Sequence, residues 1–378
     1  MTHAMQRTRW GWLAALAGLA LLTATATATA AQDPIASGTT DLHMKKGFVR
    51  KISNLGATVQ GVGVGTVTGN KISLPVSGGS LDPTDGNGFL EARGGFKFQL
   101  GQRGVPVTQL TVNTENDAVY ATVAKARMQI GVLTPPTTGR EGFGANVKAV
   151  KLTLIEKATQ RISNRLGLKG SKRLNAGRVL SNAYSTAQPK TVTVLPQGNL
   201  NLTGNAATLA KFAAKGVKVP QGFTPIAPAT KPSETSFALP ISGGSLAPDA
   251  SAGKVSTTGG VQILKETETL SPAVKLSNVS VDLAAKATTA QLEILPSPPF
   301  PGAAGQSSIV DVVLPAKAVV TNPVARTITI QGAEVRLQAA FASTLNDVFN
   351  QPAPAPPSSS NFVVGDPLGT FSITIQAQ

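Results

Sequence analysis

The segment LPVSGGSL at Leu74–Leu81 returns as LPISGGSL at Leu239–Leu246, with seven of eight residues identical. The same offset of 165 carries Pro83 onto Pro248, Gly88 onto Gly253, and the pair Gly94 and Gly95 onto Gly259 and Gly260, without a gap. Upstream, Lys51, Ile52 and Gly56 match Lys211, Phe212 and Gly216 at an offset of 160. Downstream, Leu154, Ala158, Ile162 and Leu166 fall on Leu337, Phe341, Leu345 and Phe349, and Leu174, Gly177 and Leu180 fall on Phe362, Gly365 and Leu368. Colinear blocks in one order mean two copies of one domain. The copies read as residues 35–196 and 197–378, each long enough to bury a core of its own.

Each copy reads as mainly β. A short apolar-periodic turn or helix (Phe48–Leu55; Leu209–Ala214) precedes runs that alternate with a period of two, such as Phe96-x-Phe98-x-Leu100 and Val279-x-Val281-x-Leu283. The glycine pairs fall between these runs, where a turn, a bulge or a close backbone approach is expected. The four-residue apolar spacing from Leu154 to Leu166 predicts a helix, with Gly167 as its C-cap. Thirty-eight glycines, 26 prolines and many short strands predict two tandem β-sandwich-like domains, each with one or two short helices. The Pro-rich pieces Ser297–Gly302 and Gln351–Ser360 occur only in the second copy and are expected to be surface loops.

Composition excludes whole classes of chemistry. Met1–Ala30 has a basic start (Arg7, Arg9), an apolar core of 13 residues (Trp10–Leu22) and an Ala-x-Ala end, the pattern of a secretory signal peptide and too short for a span. The remaining 348 residues carry 32 Lys and Arg against 19 acids, with no Cys, no Trp and one histidine, His43. Disulfides, thiolate metal sites and cysteine nucleophiles are excluded, and no centre can draw two histidines from one chain. No later stretch is apolar enough to span a bilayer, and no wall-sorting motif or lipid-modified Cys is present. A secreted or wall-associated protein is expected, with no transmembrane segment after signal cleavage.

The lead-in and pattern G-x-x-x-x-x-G-G followed by an alternating strand, at Gly88–Gly95 and again at Gly253–Gly260, resembles the HtaA-type repeat domains of exported actinobacterial proteins. The nearer resemblance is to exported proteins of that kind with LPI-x-GG-x-L repeats. Some HtaA-type proteins bind haem during iron uptake, so the resemblance implies a β-rich repeat and haem as an alternative cofactor. The His that members often carry before the Gly pair is Arg93 in the first copy and Thr258 in the second. The Trp-containing motif that opens haem-binding members is also absent. Haem iron takes an axial His, Tyr, Met or Cys. The available donors are His43, Met44, Tyr120, Met128 and Tyr184, and all precede the second copy. On this alternative His43, Tyr120 and Tyr184 are the ligand candidates.

The charge gives a different candidate. From Arg140 to Arg178 there are ten Lys and Arg against Glu141 and Glu156. Lys157, Arg161, Arg165 and Lys169 recur every fourth residue, so on a helix they form one row, continued by Lys172 and Arg173. Like charges at that spacing repel by roughly 0.2–0.5 kcal/mol per pair, which an anionic partner relieves. The row points to an anionic cell-wall polymer or lipid headgroups. A solvated flank on a generally basic chain accounts for the same row. Specific nucleic-acid binding is not expected, because aromatics to stack on bases are few. Asp82, Asp85 and Asn87 have an incomplete calcium-loop spacing and read as a turn. No Gly-x-Ser-x-Gly elbow occurs, and a non-enzymatic binding or structural role without catalytic or metal residues is expected.

Overall fold

The computed structural model describes residues 32–267, 271–295, 302–350 and 361–378. The expected signal peptide lies outside the described residues, as do residues 297–301 and 351–360 of the two Pro-rich pieces. In the first half the elements are β1 (Asp33–Met44), α1 (Lys46–Asn54), β2 (Thr58–Val62), β3 (Thr66–Thr68), β4 (Lys71–Leu81), β5 (Gly88–Ala92), β6 (Gly95–Leu100), β7 (Arg103–Asn113), β8 (Ala118–Val123), β9 (Ala126–Glu141), β10 (Gly144–Leu154), α2 (Glu156–Leu166) and β11 (Val179–Pro189). The second half has β12 (Val192–Val194), β13 (Asn199–Gly204), α3 (Ala206–Ala214), β14 (Phe223–Ile226), β15 (Thr230–Ser233), β16 (Ser236–Leu246), β17 (Gly253–Thr257), β18 (Gly260–Leu264) and β19 (Ala273–Asp282). It ends with β20 (Ala287–Ile294), β21 (Ala303–Val313), β22 (Val319–Asn322), β23 (Thr327–Leu337), α4 (Ala339–Phe349) and β24 (Pro367–Gln376).

Among the described residues these strands make two antiparallel sheets, one per repeat, as the alternating runs predict. Pairing in the first runs β7–β5–β4–β1–β11–β10–β9–β8 and returns to β7. The second repeats it as β19–β17–β16–β13–β24–β23–β21–β20 and back to β19. A circuit of this kind leaves few open edges, and its opposite walls face each other across one apolar core. The register carries the duplication to single residues: Asp41 opposes Tyr184 where Asn201 opposes Ser372. Gln109 and Asn278, each with positive φ, stand at matching irregularities of β7 and β19.

The Ser-Gly-Gly-Ser blocks lie inside β4 and β16, at register shifts after Val76 and Ile241. A Cβ on Gly79 would stand 2.2 Å from the Phe89 carbonyl oxygen, and one on Gly244 would stand 2.1 Å from that of Lys254. The shared motif is thus a bulge at which two strands approach too closely for any side chain.

The halves meet through named residues. β12 pairs with β16, so the tail of the first expected segment is hydrogen-bonded into the second sheet. Phe143, in the turn between β9 and β10, is buried within the second repeat's core. Across the two halves Asp33 faces Arg326 at 3.8 Å, both buried, while Asp33 accepts from the Thr193 N–H at 3.1 Å. Burial pushes the Asp33 carboxyl up to about 6, against the pull of its Thr193 hydrogen bonds and of Arg326.

Candidate functional site

The basic row is carried by α2. Ala158, Ile162 and Leu166 are buried together with Thr159 and Ser163, which fixes the opposite flank toward solvent. Gly167 closes the helix in the left-handed conformation (φ 74°, ψ 20°). The chain then turns through Gly170–Lys172 as one 3-10 turn, and the Ser163 hydroxyl accepts from the Leu174 N–H at 3.0 Å to tie that turn down.

Five of the six expected polyanion residues, Lys157, Arg165, Lys169, Lys172 and Arg173, are exposed around the outer flank and C-terminal end of α2. The sixth, Arg161, is half-buried. Its Nε donates to the Val123 carbonyl at 2.9 Å and its Nη2 to the Ala124 carbonyl at 3.1 Å. Ala124 and Lys125 both have positive φ, so Arg161 clamps the tight turn between β8 and β9 instead of facing a partner. The fold adds two cations that the spacing did not reveal. Arg103, at the start of β7, lays its guanidinium over Gly167, where a Cβ on that glycine would collide with it. Lys51, at the end of α1, donates to the Ser171 carbonyl at 3.3 Å. Both arrive from elements far away in sequence, so only the tertiary fold could show them.

Among the described residues, no ion pair involves Lys51, Arg103, Lys157, Arg165, Lys169, Lys172 or Arg173. The polar contacts within the cluster go to uncharged groups, Lys51 to the Ser171 carbonyl and Arg173 Nη2 to Asn164 Oδ1 at 3.2 Å. Lys157 to Arg165 is eight residues of helix, about 12 Å. Cations gathered at a helix C-terminus are favoured by its dipole, which offsets part of their repulsion. The matching helix α4, AAFASTLNDVF, has no basic residue at all. The second repeat instead buries Lys215 and Lys265 near the end of α4, where Lys265 donates to the Phe349 carbonyl at 3.0 Å. Burial lowers the pKa of both lysines.

The haem-ligand candidates are only partly brought together. His43 and Tyr184 sit on adjacent strands β1 and β11, rings edge to face with centroids 5.5 Å apart. Their outward face is polar. Asp41 lies opposite Tyr184, accepts from the Ser73 hydroxyl and pairs with Lys71 at 2.8 Å, and Lys148 flanks Tyr184 on β10. Tyr120 is on β8, three strands from β11, and its β9 partner Gln129 lies well along that strand from Thr137, the residue in line with Tyr184. Met44 is buried in the core and Met128 packs against it. An apolar cavity of about 100 Å³ does exist, but inside the second repeat, and none of the residues lining it is His, Tyr or Met. One place has donors without apolar walls, and the other has walls without donors. Neither place joins an axial donor to apolar walls.

The Asp82–Gly88 segment is a turn: Asp82 Oδ1 accepts from the Thr84 N–H at 2.6 Å and Asp85 Oδ1 from the Asn87 N–H at 2.8 Å. Among the described residues no group of three or more His, Cys, Asp or Glu could hold a metal ion. No described helix is long and apolar enough to cross a membrane.

No protein-family model matches the chain, and no curated protein matches it. Solved structures similar to part of it include two domains of one protein. The C-terminal domain of HtaA from Corynebacterium glutamicum is 11% identical, with 41% of this chain and 98% of that one covered and a TM-score of 0.33. The N-terminal domain of the same protein is 15% identical, with 48% and 97% covered and a TM-score of 0.33. Both belong to the family that the spaced glycines resemble. At this identity and TM-score no residue's role carries over from them.

Proposed function

We propose that this is an exported, non-enzymatic protein that adheres to a phosphate-bearing anionic polymer at the cell surface through the exposed flank of α2 and the turn that follows it. The observation that carries the reading is the set of five exposed cations, Lys157, Arg165, Lys169, Lys172 and Arg173, with no acid paired to any of them. Unpaired like charges held along one helix flank and the turn after it raise the local potential and attract a polyanion. The copy-specific placement supports the same reading. The bulges and apolar positions recur in both repeats, while the basic flank belongs to the first alone.

Adhesion of this kind needs no pocket and tolerates many polymers. Affinity comes from simultaneous engagement of several cations and falls steeply with salt. The test is binding of the full chain to long-chain polyphosphate and to phosphatidylglycerol vesicles, alongside a variant with Lys157, Arg165, Lys169, Lys172 and Arg173 all replaced by Gln. The expected result is at least a tenfold loss of affinity for polyphosphate in the variant. Equal binding by both proteins would reject the reading, and preference for the vesicles would move the partner to lipid headgroups.

A further inference from the structure

The ends of α3 and α4 meet at a lysine and two asparagines. Lys215 is the C-cap of α3 and Asn350 the C-cap of α4. The Lys215 Nζ donates to Asn350 Oδ1 and, at 3.1 Å, to Asn361 Oδ1. Asn346 ties the incoming chain to α4, accepting from the Phe362 N–H at 2.9 Å and donating to the Phe362 carbonyl at 2.8 Å. The surroundings are aromatic. The Phe362 ring lies 5.5 Å from Nζ, and Phe212 packs on Phe349 and Phe362 at 5.8 and 4.6 Å. The first repeat lacks this arrangement, because the corresponding caps are Leu55 on α1 and Gly167 on α2.

Lys215 is 2% exposed, and lysine is almost never fully buried without an ion pair. Among the described residues no ion pair involves it. The acid of the cluster, Asp366, is instead paired with Lys211 at 2.5 Å. Burial, and then the charges of Lys265 and Lys211, hold the Lys215 pKa below the usual lysine value. Its amine therefore gives up its proton more readily than an exposed lysine and presents a lone pair. A desolvated lysine beside other cations is an activated nucleophile. The group it touches is a carboxamide, whose carbon is electrophilic. A nitrogen hydrogen-bonded to an amide oxygen stands roughly 3.5 Å from the amide carbon, within the range of a near-attack geometry.

We propose that Lys215 and Asn350 join in an intramolecular isopeptide bond that ties α3 to α4. The Nζ lone pair attacks Asn350 Cγ and the Nζ–Cγ bond forms. The charge of Lys265 favours the oxyanion that develops on Oδ1. The Cγ–Nδ2 bond then breaks, and one Nζ proton passes to the leaving nitrogen with the Asp366 carboxyl as its carrier. The products are a secondary amide and ammonia, and nothing is oxidised or reduced. The chain has no cysteine, so this bond supplies the covalent closure that disulfides give many exported proteins. It is independent of the basic flank of α2.

The test is mass spectrometry of the full chain under denaturing conditions, intact and after trypsin. The wild type is expected to be lighter by one ammonia. Its digest is expected to hold residues 212–218 and 337–378 as one branched fragment, because trypsin does not cut after a linked lysine and residues 337–378 contain no Lys or Arg. Lys215→Arg and Asn350→Ala are each expected to regain the ammonia and to release the two stretches separately. Separate fragments from the wild type would overturn the proposal, and that measurement needs no variant to fold. Loss of ammonia without a branched fragment would mark a side-chain amide cyclised on its own chain and would equally overturn it. A branch that persists in Asn350→Ala would reject the assignment to Asn350.

Discussion

Replacing Thr288 by Val should stabilise the protein, which is unusual for a change at a buried position. Thr288 is 4% exposed with an unpaired hydroxyl, and Val119 occupies the same register position in the first repeat at 0% exposure. Burying a hydroxyl without a partner costs about 1–3 kcal/mol on mutational scales. Valine keeps the shape and removes that cost, so the expected gain is about 1–2 kcal/mol, or about 2–8 °C in Tm for a domain of this size. The reciprocal change, Val119→Thr, should cost about 1–3 kcal/mol in the first repeat. The assay is urea unfolding followed by far-ultraviolet circular dichroism, since both tryptophans, Trp10 and Trp12, lie in the first 30 residues. A loss of stability in Thr288→Val would refute the reasoning, because it would mean that the hydroxyl is satisfied in the folded protein.

Three further outcomes follow from the packing. Asp33, with its carboxyl raised to about 6 from 3.8, favours the folded state most when protonated, so stability should fall as pH rises from about 4 to about 6 and then level off. Thermal unfolding across that range, with Asp33→Asn expected to flatten the slope, checks the sign. Phe143→Ala should cost about 3–5 kcal/mol and destabilise the second repeat, although Phe143 lies between strands of the first, and unfolding midpoints unchanged by it would contradict that packing. Arg161→Ala should lower stability by about 1–3 kcal/mol through loss of the clamp on the Ala124 turn. It should leave polyphosphate affinity nearly unchanged, and a large loss of affinity would return Arg161 to the binding surface.

The duplication was legible because the residues that carry it act through the backbone. Gly79 and Gly244 hold a bulge that no other residue allows, and Leu154 to Leu166 and Leu337 to Phe349 hold helices by the same buried rows. The alternating strands were legible for the same reason, since a period of two separates core from solvent in any β-sheet. The circuit of strands was not, because the pairing of β1 with β11, which sets Ile35 against Pro189, leaves no local trace. Within the site, helical spacing found the row but could not tell an exposed cation from one turned inward. Arg161 shares its period with Lys157 and Arg165, and only the nearby Val123 and Ala124 carbonyls separate them. Arg103 and Lys51 join the cluster from distant elements. The cavity was hidden because the second repeat has phenylalanines in plenty, and only the register shows that they stand at Phe212, Phe223 and Phe237, with Val261 and Ile263 as the counterparts of Phe96 and Phe98.

The salt dependence of polyphosphate binding addresses the adhesive reading most directly. Each cation that neutralises a phosphate displaces condensed counterions, so the slope of log affinity against log salt measures how many phosphates the protein engages. The slope for the wild-type chain should be steep, and replacing Lys157, Arg165, Lys169, Lys172 and Arg173 by Gln should reduce its magnitude by about three to five, just under one for each cation removed. An equal slope in the two proteins would place the phosphate-binding cations elsewhere on this basic chain and contradict the assignment to α2 and the turn that follows it.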